Sequence, residues 1–210
     1  MKVLIVDSSK KRANVQVITE EKVAGHTLDE TEKHSENLLY RIDEILTRAD
    51  VELKDIDVYA AVVGPGSFTG IRVGLSTIKA FNIVNKKKLV SLNAFEPFLS
   101  VVKSGVVLLN STRTSFYYAI IRSGKILEMD LVSYENLANI VKGKKVYMLD
   151  FEKYAELQDC DIKYIDNYSE LLRDAVQTKI KRGEYISDNE FEPVYLQLSQ
   201  AELQLNKKNG

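Results

Sequence analysis

Hydrophobic and polar positions change their period several times along these 210 residues. Val3 to Val6 is a short apolar run that reads as a buried strand, and Asn14 to Thr19 and Lys22 to Leu28 read as paired strands of a meander. From Ser35 the period becomes helical. Leu38, Leu39, Ile42, Ile45 and Leu46 form one stripe while Glu36, Arg41, Asp43 and Glu44 lie off it, which predicts an amphipathic helix from Ser35 to Arg48. A buried strand is expected at Val58 to Val63, then the turn Gly64-Pro65-Gly66-Ser67-Phe68-Thr69-Gly70, then a helix over Ile71 to Val84. Ile71, Leu75 and Ile78 make one row of that helix, and Val73, Ala80, Phe81 and Val84 extend around another. The helix is therefore expected to be sandwiched, not surface-lying.

The pattern then restarts. Strands are predicted near Leu89 to Leu92, Val106 to Asn110, Phe116 to Arg122 and Lys125 to Leu131, the last two joined at Ser123-Gly124. A helix at Tyr134 to Val141, strands at Lys145 to Leu149 and Ile162 to Ile165, a helix at Tyr168 to Arg182 and a polar C-terminal helix from about Val194 follow. Two rounds of strands, helix and strand predict an α/β protein of two similar lobes in an actin-like order, dividing near Asn93 to Ser104. The expected boundaries are 1–98, 99–193 and a C-terminal helix and tail over 194–210. A single doubly wound sheet is the competing fold, but it calls for strands and helices alternating from the start.

Composition narrows the chemistry. With 45% hydrophobic residues the chain can bury a core unaided, and the single cysteine, Cys160, excludes an internal disulfide framework and fits a reducing, cytoplasmic setting. The apolar start is too short for a signal core or membrane span. Twenty-nine basic against thirty acidic residues argue against strong RNA binding by this chain alone. The basic clusters at Lys86 to Lys88, Lys142 to Lys145, Lys179 to Arg182 and Lys207-Lys208 read as solvated helix ends or turns.

The glycine turn is the most distinctive local feature. Gly64, Gly66 and Gly70 sit between a strand and a helix, where freed amides could hold an anion, with Ser67 and Thr69 beside them. The spacing matches neither a dinucleotide fingerprint nor a P-loop, and glycines that admit a close helix account for it equally well. Gly74 falls on the same face as Gly70.

The longer string from Gly64 through Gly70-Ile71-Arg72-Val73-Gly74-Leu75-Ser76-Thr77 resembles the signature of the TsaB (YeaZ) family. Asp7-Ser8-Ser9, His34-Ser35-Glu36 with Leu38 and Leu39, and Pro193-Val194-Tyr195-Leu196 are similar to it too. The likeness is strong over residues 1 to 100 and weaker beyond. It implies an actin-like ASKHA fold and a role as partner of the catalytic paralogue TsaD in forming threonylcarbamoyladenosine on tRNAs that read codons beginning with A. It also implies a TsaE ATPase subunit in the complete complex, a homodimer when alone, and tRNA met only through the complex. Carried over, the partner surface comprises His34, Ser35, Glu36, Leu38, Leu39, Arg41, Ile42 and Ile45 on the first helix and Arg72, Leu75, Ser76, Ile78 and Lys79 on the second. Where the family commonly has an Asp-Ala-Arg segment, this chain has Asn110-Ser111-Thr112-Arg113.

The residues themselves supply little catalysis. Asp7 could serve as a first-lobe acid for a phosphohydrolase or phosphotransferase using the glycine turn, but the matching second-lobe position is the neutral Asn110. His26 and His34 form no zinc motif, and His34 fits better as a cap or orienting group for the helix at Ser35, with Glu36 favouring its first turn. Ser67 lacks a nucleophile elbow, and Asp159 and Asp161 disfavour a Cys160 thiolate. No metal and no cofactor is expected.

Overall fold

A computed structural model describes residues 1–28, 34–152 and 161–196. Strands β1 (Val3–Asp7), β2 (Ala13–Ile18) and β3 (Val23–Leu28) form an antiparallel meander in which Val3 faces Ile18 and Asp7 faces Asn14. On the other side of β1 lies β4 (Val58–Gly64), parallel to it, and then β5 (Lys88–Asn93), giving the order β3-β2-β1-β4-β5. Parallel neighbours need crossovers, which α1 (His34–Ala49) and α2 (Phe68–Asn85) provide.

The second half repeats this plan. Strands β6 (Ser104–Thr112), β7 (Ser115–Arg122) and β8 (Lys125–Ser133) form a meander, and β9 (Val146–Leu149) and β10 (Ile162–Ile165) add parallel strands beyond β6, in the order β10-β9-β6-β7-β8. Helix α3 (Tyr134–Val141) occupies the place of α1. The fold is thus a duplicated, two-lobed α/β architecture, in the element order that the sequence predicts.

Side-chain alternation along the strands sorts the core into layers. Leu4, Val6, Ala61 and Val63 face α1 and α2, burying Leu38, Ile42, Ile45, Ile71, Leu75 and Ile78. Val3, Ile5, Val62 and Leu92 face the other way, into a core that also holds Val107, Leu109, Tyr117 and Ile121 of the second sheet. Helix α4 (Tyr168–Lys181) fills the space between the sheets with Tyr168, Leu172 and Val176. Helix α3 covers the far face of the second sheet with Leu137 and Val141.

Helix α2 departs from the sequence expectation in two ways. Helix α2 begins at Phe68 because Ser67 caps it, its hydroxyl accepting from the Gly70 amide at 3.1 Å. It is also not sandwiched: Ile71, Leu75 and Ile78 are buried, but Ile83 and Val84 are 70% and 79% exposed. One side of α2 meets the sheet and α1, and residues 188–195 lie along another through contacts with Phe68, Arg72, Lys79 and Asn82, leaving Ile83 and Val84 uncovered among the described residues.

After α4 the chain returns to the first lobe. Ile186 bridges Leu89, Phe191 is buried in the first-lobe core, and the Val194 amide donates to the Val63 carbonyl at 2.8 Å. The Tyr195 ring stacks on Phe68 at 4.4 Å. Residues 186–193, counted from sequence with the second lobe, therefore strap the first. Residues 193–196 are not helical, and the rest of the expected C-terminal helix and tail lies outside the described residues.

Candidate functional site

The glycine turn packs directly on the loop that follows β1. A Cβ on Gly66 would lie 2.2 Å from the Ser9 carbonyl, one on Gly70 1.9 Å from the Ser8 carbonyl and one on Gly74 2.3 Å from the Ser8 hydroxyl. Backbone approaches at Gly66 and Gly70 and leaves no room for a side chain, and at Gly74 the space is taken by the Ser8 side chain. Gly64 has a further constraint, a φ of +124° that favours glycine. The turn's amides are already engaged at two points: Ser67 donates to the Ser9 carbonyl at 2.8 Å, and Gly70 donates to the Ser67 hydroxyl. The Ser8 hydroxyl closes the junction, donating to the Gly70 carbonyl at 2.7 Å. The candidate anion-binding residues Gly64, Gly66, Ser67, Thr69 and Gly70 are thus brought together around a protein contact.

Asp7 ends β1 at the lobe junction, fully buried. Its Oδ1 accepts from the Ser9 amide at 2.9 Å and the Ser9 hydroxyl at 2.6 Å. Its Oδ2 accepts from Lys10 Nζ at 2.9 Å and from the Tyr168 hydroxyl at 2.5 Å. Lys10 is itself buried, and its ammonium also donates to the Tyr168 hydroxyl at 2.7 Å. Burial pushes the Asp7 carboxyl upward, but the Lys10 charge and the bonds from Ser9 and Tyr168 outweigh it and hold the group below its ordinary value. Desolvation and the neighbouring Asp7 charge drive the Tyr168 phenol well above its own. The aspartate that could have organised a metal and phosphates is thus satisfied by the chain's own ammonium, hydroxyls and amide.

The second lobe contributes a carboxylate that the sequence pattern does not reveal. Glu152 is buried beside Asn110, whose amide donates to Glu152 Oε2 at 3.1 Å and whose side-chain nitrogen donates to the Glu152 carbonyl at 3.2 Å. Desolvation pushes the Glu152 carboxyl up to about 7 against the pull of Lys10, and Asp7 adds to the rise. Asn110 Oδ1 is buried without a hydrogen-bond partner. Lys10, Glu152 and Tyr168 therefore complete a charged junction of which sequence analysis singled out only Asp7 and Asn110.

The residues expected to face a partner separate into two groups. Leu38, Ile42, Ile45, Leu75 and Ile78 are core residues and reach no surface, a correction that follows from their contact with the sheet. Leu39, Arg72 and Ser76 are exposed, while Arg41 and Lys79 are half-buried. Arg41 pairs with Glu44 at 2.7 Å; Arg72 Nε donates to the Tyr195 hydroxyl at 2.9 Å; Lys79 pairs with Glu192. His34, Ser35 and Glu36 open α1, but their side chains, including the expected cap, lie outside the described residues. Missed from sequence are Tyr40, Ile83 and Val84, exposed apolar side chains on these helices.

Other candidates receive little from the geometry. His26 lies opposite Val15 with its Nε2 buried and without a hydrogen-bond partner, and Cys160 lies outside the described residues. Among the described residues no group of three or more His, Cys, Asp or Glu side chains is placed to hold a metal, and no helix is long and apolar enough to cross a membrane.

Residues 28–191 match the family model TsaD, tRNA N6-adenosine threonylcarbamoyltransferase. A tRNA N6-adenosine threonylcarbamoyltransferase from Kosmotoga olearia is 33% identical over 109 residues, covering 44% of this chain and 33% of that protein. The tRNA threonylcarbamoyladenosine biosynthesis protein TsaB from Escherichia coli is 32% identical over 75 residues, 36% of this chain and 32% of that protein. The matches thus span about a third of these relatives' length. Among solved structures, YeaZ from Pseudomonas aeruginosa superposes with a TM-score of 0.71 at 17% identity, covering 93% of this chain and 99% of that one.

Proposed function

The chain belongs to the TsaD family, tRNA N6-adenosine threonylcarbamoyltransferase, and from that premise we propose that it is a TsaB/YeaZ-type, non-catalytic partner that binds and activates a TsaD paralogue. The product is threonylcarbamoyladenosine on tRNAs that read codons beginning with A, made in the cytoplasm. A TsaE ATPase subunit joins the complete complex, and the same outer helices pair two copies when the chain is alone.

One observation carries this reading. Two pairs of large apolar side chains are exposed on the outer helices, Leu39 at 60% and Tyr40 at 64% early in α1 and Ile83 at 70% and Val84 at 79% at the end of α2. Apolar surface of this kind is characteristic of a protein contact. Arg41, Arg72, Ser76 and Lys79 supply polar groups on the same two helices. The buried members of the expected interface act beneath it, by holding the helices against the sheet.

A separate phosphohydrolase built on Asp7 and the glycine turn is not favoured. Both Asp7 oxygens, the Ser67 amide and the Gly70 amide are already bonded within the chain. A nucleotide would have to break a buried ion pair, which costs about 3–5 kcal/mol when one partner is left unpaired.

The test is reconstitution of threonylcarbamoyladenosine formation from the TsaD paralogue and the ATPase subunit with and without this chain. Product formed only in its presence, with no ATP hydrolysis by the chain alone, is the expected result. Equal product without it overturns the assignment.

A further inference from the structure

Away from the outer helices, four cations from separate stretches of sequence converge on one open basin of the second lobe. Lys103 precedes β6, Arg122 ends β7, and Lys144 and Lys145 lie between α3 and β9; together with Tyr147 they line a cavity of about 560 Å³. Among the described residues no carboxylate lines it. Among the described residues none of the four cations is in an ion pair, and Lys144 spends only one donor inside the protein, on the Ile140 carbonyl at 2.6 Å. Lys125, opposite Arg122 in the β7–β8 hairpin, and Lys142 at the end of α3 extend the positive field.

The adjoining cavity shows what a neutralised surface looks like here. It shares Lys103 but is also lined by Glu96, Asp174 and Glu184, and there Lys179 pairs with Glu96 at 2.9 Å and Arg182 with Glu184 at 3.6 Å. Among the described residues the basin carries no such compensation, in a chain whose formal net charge is −1. Like charges gathered without counterions repel one another, and a bound polyanion would relieve that repulsion. Exposed, flexible ammonium groups suit the regular charges of a phosphate backbone better than one fixed small molecule, and the half-exposed Tyr147 ring offers a stacking face.

We propose that this basin binds the phosphate backbone of RNA, giving the chain its own contact with the tRNA that its partner modifies. The inference rests on the tRNA-modification reading for the identity of the RNA, but its test does not need that activity. Binding of an unmodified tRNA transcript to the chain alone is followed by fluorescence anisotropy at low salt and across a salt titration. Replacing Lys103, Arg122, Lys144 and Lys145 together by Gln should weaken binding about tenfold at roughly 0.05 M salt and lower the salt slope by about three, since each phosphate contact adds roughly 0.7 to 0.9.

A matched variant with Lys22, Lys54, Lys86 and Lys181 replaced by Gln removes the same charge elsewhere on the surface. It should stay within about twofold of the parent, because binding of this kind depends on where the charges lie. Equal weakening by both variants, or none by the basin variant, overturns the proposal. So does displacement of the tRNA by micromolar ATP, which would assign the basin to a mononucleotide. Failure of the reconstituted modification with intact tRNA binding would instead count against the partner reading alone.

Discussion

Glu152 shows how a single buried side chain sets a pH response. Its folded value near 7 lies above the ordinary 4.5, so between those limits the folded chain holds a proton that the unfolded chain releases. Stability therefore falls as pH rises through that window and levels off above it. Glu152→Gln should remove this slope and gain roughly 1–3 kcal/mol over the parent between pH 5 and pH 8. Thermal melts of both proteins at the two pH values test this, and a constant difference contradicts it. Gly70 is the opposite case, a residue whose value is its lack of bulk. With the Ser8 carbonyl 1.9 Å from its Cβ position, Gly70→Ala must move either the loop or the helix. Overpacking of this kind costs about 1–3 kcal/mol, a fall in Tm of roughly 2–4 °C per kcal/mol for a chain this size. An unchanged Tm would show that the junction can relax.

At the scale of elements, the outer helices carry the functional prediction. Replacing Ile83 and Val84 together by Asp should leave Tm within about 2 °C, since both side chains are already exposed. It should weaken binding of the TsaD paralogue by at least about thirtyfold if these are central anchors, since such anchors contribute 2 kcal/mol or more. Isothermal titration decides the point, and parental affinity would move the interface elsewhere. These helices also show what sequence makes legible. The α1 stripe and its polar flank were readable because both follow the 3.6-residue period. The extra apolar residues of α2 were equally visible, yet periodicity counts apolar positions without saying what covers them, so Val84 read as buried. Duplication was legible because each meander lies within a short stretch of chain. The Lys10–Tyr168 bond joins residues 158 positions apart, and no local pattern announces it. The string from Gly64 to Thr77 pointed to the right family, while the use of Gly70 and Gly74 to admit the Ser8 loop emerged only from their contacts.

For the whole molecule, the central layer matters most. Val3, Ile5, Val62 and Leu92 share one core with Val107, Leu109, Tyr117 and α4, and the strap through Phe191 and Val194 ties the end of the described chain to its beginning. Two lobes that share a core should unfold together. A single calorimetric transition is expected, with the van't Hoff and calorimetric enthalpies equal. Two resolved transitions would mean that the lobes are independent. Residues 1–98 alone should fail to fold cooperatively, because their Val3, Ile5 and Leu92 face would be left in water. The ion pair at the junction of these lobes has a further consequence. A nucleotide held between two lobes can be spent and exchanged, and each exchange lets the lobes move. Lys10 is a counterion tethered by its own backbone; it neither leaves nor turns over. The Asp7 carboxylate at the junction is therefore neutralised by a permanent counterion and not by an exchangeable one.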